Sequence, residues 1–153
     1  MNKKVSMNEL SPLIFEMLSS GGEVTFTVTG ISMLPLLHEG IDTVTLSSAK
    51  SKLKKYDLPL YKRKNGAFVL HRVVKVTKDD GYIMCGDNQF YPEYGITDKQ
   101  IIGIVKRIGK PNKTIYVNTF RYKLYCRFWV NTRFIRRVCA SIKNRGKRLL
   151  KLG

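Results

Sequence analysis

Short strand-like segments, separated by turn clusters at spacings of about ten residues, fill most of the first 110 residues. In residues 22–30, Val24, Phe26 and Val28 alternate with threonines, which is the pattern of a half-buried strand. Further runs of this kind lie at residues 43–46, 58–63, 67–76, 81–86 and 100–108. Many short strands at this spacing predict a mainly β fold, built as a small, curved antiparallel β-domain.

The two ends of the chain show helical periodicity instead. Residues 7–19 place Leu10, Ile14 and Leu18 at helical spacing, which predicts a short N-terminal helix. From about Phe120, apolar residues recur at steps of three and four with Lys and Arg between them, which predicts basic amphipathic helices broken near Asn131 or Gly146. We therefore expect three parts: a helical segment at 1–22, a β-domain at 23–110 and a basic helical tail at 111–153.

The positive charge is concentrated in the tail. The 153-residue chain has a formal net charge of +17. Residues 1–105 contain 13 of its 28 basic residues and all 11 acidic residues, so residues 106–153 contain 15 basic residues and no acidic one. An anionic partner should therefore contact the C-terminal third of the chain.

An amphipathic helix with aromatic and aliphatic residues on one face and Lys and Arg on the other is typical of membrane interfaces. We expect residues 120–152 to bind an anionic membrane surface. One alternative is that the apolar stripe packs back on the β-domain while the charges are solvated. Nucleic acid ranks lower as a partner, since the stripe is aliphatic as well as aromatic and no nucleic-acid motif is visible.

The three cysteines lack the spacing of a metal or redox site, and no metal or other cofactor is expected. The N-terminal apolar patch is too short for a signal peptide, and no run of residues is long enough for a membrane-spanning helix. These features predict a protein on the cytoplasmic side of the membrane, associated with it peripherally.

Ser32, in the segment GISMLPLLHEG, needs a base to act as a nucleophile, and the chain has two histidines. His38 follows closely in a predicted turn, where a solvated role is expected. His71 lies in the apolar run AFVLHRVVKV, where a titratable ring needs a polar partner. It is either a catalytic base or a core histidine whose hydrogen bonds are satisfied.

The predicted turn at residues 86–95 contains two carboxylates, Asp87 and Glu93. Either can approach an imidazole and hold its tautomer, as the acid of a catalytic triad does. The alternative for Asp87 is that its side chain caps the backbone of its own turn.

Three motifs occur in order: GISMLP at residues 30–35, HRVV at 71–74 and GDN at 86–88. In this order and spacing they resemble the type I signal peptidases, in the archaeal and endoplasmic-reticulum branch that uses histidine as the base. The superfamily also includes the LexA-like self-cleaving repressors. The resemblance covers roughly residues 24–108 and implies the β-fold of that superfamily.

The resemblance implies that Ser32 is the acyl-forming nucleophile and His71 its general base. It also implies that Glu93 is the triad acid, at a position where the family has aspartate, and that Asp87 is a supporting acid. Met33 and Pro35 fall at substrate-binding positions, and the backbone N–H of Ser32 at the position of an oxyanion donor.

The function implied is that of a serine endopeptidase that cleaves an extended signal or leader peptide. One alternative is a peptide-binding or maturation-accessory module without turnover. Another is a LexA-like self-cleaving regulator, which is disfavoured because no helix-turn-helix precedes Ser32 and because His71 stands at the base position instead of lysine.

Overall fold

The computed structural model describes the backbone of residues 7–149 and the side chains of residues 11–142. Within this range the chain is mainly antiparallel β, with one helix before the strands and two after them, which confirms the prediction of a mainly β fold. The elements are α1 (Met7–Ser19), β1 (Glu23–Thr27), β2 (Thr43–Ser47), β3 (Pro59–Lys62), β4 (Phe68–Leu70), β5 (Arg72–Val76), β6 (Tyr82–Cys85), β7 (Glu93–Ile96), a 3-10 turn (Asp98–Gln100), β8 (Ile101–Lys110), β9 (Lys113–Tyr116), α2 (Phe120–Asn131) and α3 (Arg133–Leu149).

The strands form two antiparallel sheets. The larger has the order β1-β2-β8-β3-β4, with β9 paired to β8, and the smaller has the order β5-β6-β7. The core of the larger sheet also contains Ile14 and Leu18 of α1. A Cβ added at Gly103 of β8 would lie 2.9 Å from Leu18 Cδ1, so a glycine there lets α1 pack closely against the sheet. The side chain of Leu10, the first residue of the predicted helical stripe, lies outside the described residues.

The apolar run at residues 67–76, predicted as one strand, is divided between the two sheets. Its first part is β4 in the larger sheet, its second part is β5 in the smaller sheet, and His71 lies between them. Just after this junction, Val73 O accepts a hydrogen bond from Tyr56 N at 2.8 Å, and Val73 N donates one to Asp57 O at 2.9 Å. Apolar residues lie on both sides of His71 and Arg72 with no turn residue between them, so the sequence does not reveal that the chain changes sheets.

The C-terminal part is joined to the β-domain more closely than the predicted boundary at residue 110 implies. Strand β9 continues the larger sheet to Tyr116, and α2 buries Tyr122 and Cys126 against the core. The helices α2 and α3 are separated at Thr132, next to the predicted break at Asn131, whereas α3 continues through Gly146. Among residues 7–149, no helix combines the length and apolar character needed to cross a bilayer.

A buried ion pair connects the second sheet to α2. Arg72 and Asp87 are both fully buried, and the guanidinium donates from Nε to Oδ1 at 2.8 Å and from Nη2 to Oδ2 at 2.7 Å. Its Nη1 donates to Tyr56 O at 3.1 Å, to Tyr122 Oη at 3.0 Å and to Cys126 Sγ at 2.9 Å. The pair thus has the additional hydrogen bonds that compensate for its desolvation.

We expect Arg72→Met to lower the free energy of unfolding by about 3–5 kcal/mol, because it leaves the carboxylate of Asp87 buried without its counter-ion. Urea denaturation followed by circular dichroism measures this loss. The matched control is Lys52→Met, which breaks the Lys52–Asp80 pair, whose side chains are 61% and 66% exposed. The control should change stability by less than about 1 kcal/mol. Similar losses in the two variants would contradict the structural role of the buried pair.

Candidate active site

The segments carrying Ser32 and Asp87 are far apart in sequence but in direct contact. Asn88 N donates to Ser32 O at 2.8 Å, and Asn88 Nδ2 donates to Ile31 O at 3.2 Å. A Cβ at Gly86 would lie 2.5 Å from Ser32 O, so this approach requires glycine. The turn at residues 86–88 therefore holds the backbone on which Ser32 is carried.

Ser32 and His71 line the same cavity, which has a volume of about 300 Å³. Met33, for which the resemblance implied a substrate-binding role, is buried and lines this cavity too. Pro35, the other residue predicted to bind substrate, is exposed and lies outside the cavity lining. The cavity thus brings together three of the predicted site residues.

His71 is only 2% exposed and has polar partners on one side of its ring. Its Nδ1 lies 3.2 Å from Glu93 Oε1 and 3.3 Å from Tyr61 Oη. Because an ionised carboxylate can only accept, the tautomer that fits this contact carries its proton on Nδ1 and leaves Nε2 as a proton acceptor. Among the described residues no hydrogen bond joins Ser32 Oγ to His71, and such bonds are often long in unliganded sites.

Glu93 is the first residue of β7, although the sequence predicted a turn there. Arg63 holds its carboxylate in a two-point ion pair: Nε donates to Oε2 at 2.8 Å, and Nη2 donates to Oε1. Sequence reasoning missed Arg63. No local signal indicated it, because the residue it pairs with is thirty positions away in the sequence.

Asp87 is bound to Arg72 and not to the histidine ring. Its Oδ2 also accepts a hydrogen bond from Tyr125 Oη at 3.2 Å, and its backbone oxygen accepts one from Trp129 Nε1 at 2.8 Å. It acts on His71 only through space, where its negative charge favours the protonated ring. The two predicted carboxylates therefore occupy different places: Glu93 beside the imidazole, and Asp87 in the buried ion pair.

The charges around His71 oppose one another. Burial lowers the pKa of His71 below its ordinary value; the Glu93 carboxylate opposes this shift and the Arg63 guanidinium adds to it. Burial alone would raise the pKa of Glu93, but hydrogen bonds from Arg63 and Tyr61 bring it below the ordinary value. Burial, together with the Glu93 charge, raises the pKa of Tyr61, so its hydroxyl stays protonated. At neutral pH the site therefore contains a neutral imidazole next to an ionised carboxylate.

His38 lies elsewhere. Its backbone N–H donates to Asp42 Oδ2 at 2.6 Å, and its ring Nδ1 lies 3.2 Å from the same oxygen. It is not among the residues that line the cavity of Ser32. The histidine that shares a cavity with the serine is therefore the distant one in sequence.

Within the described part of the chain, no group of three or more His, Cys, Asp or Glu residues is arranged to hold a metal ion. No family model, curated protein or solved structure matches this chain.

We expect Arg63→Gln to raise the pKa of His71, because the guanidinium disfavours the imidazolium, and Glu93→Gln to lower it, because the carboxylate favours it. NMR titration of the imidazole resonances measures both shifts without any need for a substrate. Lys64→Gln removes an exposed positive charge one residue further on and should leave the titration unchanged. Unaltered titration in the Arg63 and Glu93 variants would contradict the arrangement described here.

Proposed function

We propose that the protein is a serine endopeptidase of the signal peptidase and LexA-like superfamily that cleaves an extended peptide through an acyl-enzyme. The observation that carries this proposal is the shared cavity of Ser32 and His71, with Glu93 Oε1 3.2 Å from His71 Nδ1. The ordered motifs at residues 30–35, 71–74 and 86–88 support the assignment to that superfamily.

In the proposed reaction, Ser32 Oγ attacks the scissile carbonyl carbon while its proton passes to His71 Nε2. The carboxylate of Glu93 stabilises the imidazolium through Nδ1–H. The C–N bond then breaks, the proton moves from Nε2 to the departing amine, and the acyl group remains on Ser32 as an ester. Water attacks this ester, giving its proton to Nε2, and the carboxyl product leaves as Ser32 regains a proton.

The electrostatics of the site suit a general base. A base must be unprotonated when the substrate arrives, and the lowered pKa of His71 keeps its ring neutral at neutral pH. Arg63 contributes to this lowering, while Glu93 fixes the tautomer. The backbone N–H of Ser32 is the proposed donor to the oxyanion. The hydrogen bond from Asn88 N to Ser32 O holds this segment in place.

The edges of the larger sheet favour a peptide substrate. Strands β1 and β4 are the two ends of its strand order, and Phe26 of β1 and Phe68, Val69 and Leu70 of β4 line the cavity of Ser32. An edge strand presents backbone N–H and C=O groups that an extended peptide can pair with. The proposed substrate is therefore a signal or leader peptide bound as an extended chain, with small residues before the scissile bond as in the resembled family.

We expect Ser32→Ala and His71→Ala each to lower peptidase activity by at least about 1,000-fold, because nucleophile and base act as one unit. Hydrolysis of a fluorogenic peptide library and labelling by a fluorophosphonate measure the loss. Ser51→Ala and His38→Ala are the matched controls, since Ser51 is an exposed serine and His38 the other histidine, both outside the cavity. Equal activity in all five proteins would end the peptidase hypothesis.

A second candidate is a peptide-binding or maturation-accessory module that does not turn over. It is favoured by the lack of a hydrogen bond between Ser32 and His71 among the described residues. It is also favoured by the ion pair with Arg63, which compensates the negative charge of Glu93. A peptide that binds wild type and Ser32→Ala equally, with no hydrolysis by either protein, would assign this role.

A further inference from the structure

The helix α3 turns its apolar stripe away from the protein. Phe134, Ile135, Val138 and Ile142 are between 42% and 74% exposed. At about 100° per residue these four positions fall on one side of the helix. A stripe of this kind normally packs against the core of its own domain.

The side of α3 that faces the protein is basic instead. Arg136 donates from Nη1 to Asp87 O at 3.1 Å and from Nη2 to Trp129 O at 2.8 Å, and its guanidinium lies 3.9 Å from the centre of the Trp129 ring. Arg133 has its Nε and Nη2 atoms buried as well, without a hydrogen bond to any described residue. Two guanidinium groups therefore lie inward, and the aliphatic and aromatic side chains lie outward.

The neighbouring helix α2 has a second exposed apolar stripe. Its members are spaced four residues apart: Phe120, Leu124 and Phe128. Exposed Arg121, Lys123 and Arg127 are interspersed with them, while Tyr122 and Cys126 face the core. Both helices thus combine exposed apolar side chains with positive charge, which is the composition of interfacial helices.

The positive charge of residues 106–153 helps to decide which partner covers the exposed apolar stripe of α3. A second copy of the chain would bring together two segments that each contain 15 basic residues and no acidic one, at residues 106–153. Nucleic acid can pair with the exposed cations, but it offers no hydrocarbon for the apolar stripe of Phe134, Ile135, Val138 and Ile142. An anionic bilayer offers hydrocarbon for the stripe and negative headgroups for the remaining cations.

We propose that the outward face of α3, formed by Phe134, Ile135, Val138 and Ile142, inserts into the surface of an anionic lipid bilayer. The helix lies along the interface, with exposed Arg137 of α3 and the exposed basic residues of α2 at the headgroups. This proposal does not rest on the peptidase chemistry. It does affect the candidate site, because α3 contacts the turn before Glu93 through the bond from Arg136 to Asp87 O and through Arg137, which lies 5.1 Å from the ring centre of Tyr91.

The test is sedimentation of the full-length protein with vesicles of phosphatidylcholine, prepared with and without phosphatidylglycerol, over a series of salt concentrations. Wild type should bind the anionic vesicles and not the neutral ones, and added salt should weaken the binding. The double variant Phe134→Ser/Ile142→Ser should lower the affinity for anionic vesicles by at least about tenfold, because it removes two inserted apolar side chains. Serine has a helix propensity close to that of the residues replaced, and circular dichroism verifies that the variant is folded.

The matched control is Leu13→Ser/Phe15→Ser, which changes exposed apolar residues of α1, a helix without basic residues in its last turn. Its affinity should remain within about twofold of wild type. Equal binding to neutral and anionic vesicles, or equal affinity of wild type and the α3 variant, would overturn the proposal. A dimer in sedimentation velocity that the α3 variant dissociates, without vesicle binding, would assign the stripe to a second copy instead. Binding to duplex DNA that is tighter than to vesicles and unchanged in the α3 variant would also contradict lipid insertion.

Discussion

The buried ion pair between Arg72 and Asp87 is the interaction on which the other parts of the structure depend. Arg72 begins β5, and its remaining donors reach Tyr56 O and two side chains of α2. Asp87 belongs to the turn whose next residue, Asn88, holds the backbone of Ser32. A buried ion pair is stable only when its remaining hydrogen-bonding groups are also satisfied. The positions of α2 and of the loop that carries Ser32 therefore both depend on this one buried pair.

The two acidic residues Asp87 and Glu93 illustrate how the environment of a side chain determines its role. They lie only six positions apart in the sequence. Asp87 is buried in the core in an ion pair with Arg72, whereas Glu93 lies at the cavity beside His71. Arg63 shares Glu93 with the imidazole, so the carboxylate is ionised while the ring beside it stays neutral. This division separates a structural charge from the charge that orients His71 in the proposed mechanism, and it supports that proposal.

The sequence predicted most of the strands, because short apolar runs bounded by turn clusters, and the alternation seen in β1, are local properties of the chain. It predicted the cavity partners Ser32, His71 and Met33 through the ordered motifs. It missed the change of sheet at His71, because no turn residue marks it. It also missed the short strands β7 and β9, because short strands of mixed polarity resemble turns. Arg63 was missed because its role depends on an ion pair with a residue thirty positions away, which no local pattern encodes.

The C-terminal helices show most clearly what a local sequence pattern can and cannot predict. The sequence alone determined that the chain from about Phe120 onward is helical, amphipathic and strongly basic, because periodicity and charge are properties of neighbouring residues. Only the tertiary structure decided that α3 turns its arginines inward and its apolar stripe outward. The physical reason is that the surface against which α3 packs is polar. The guanidinium of Arg136 donates to the backbone oxygens of Asp87 and Trp129 and lies over the Trp129 ring. The apolar side chains lie on the opposite face of the helix and are therefore exposed.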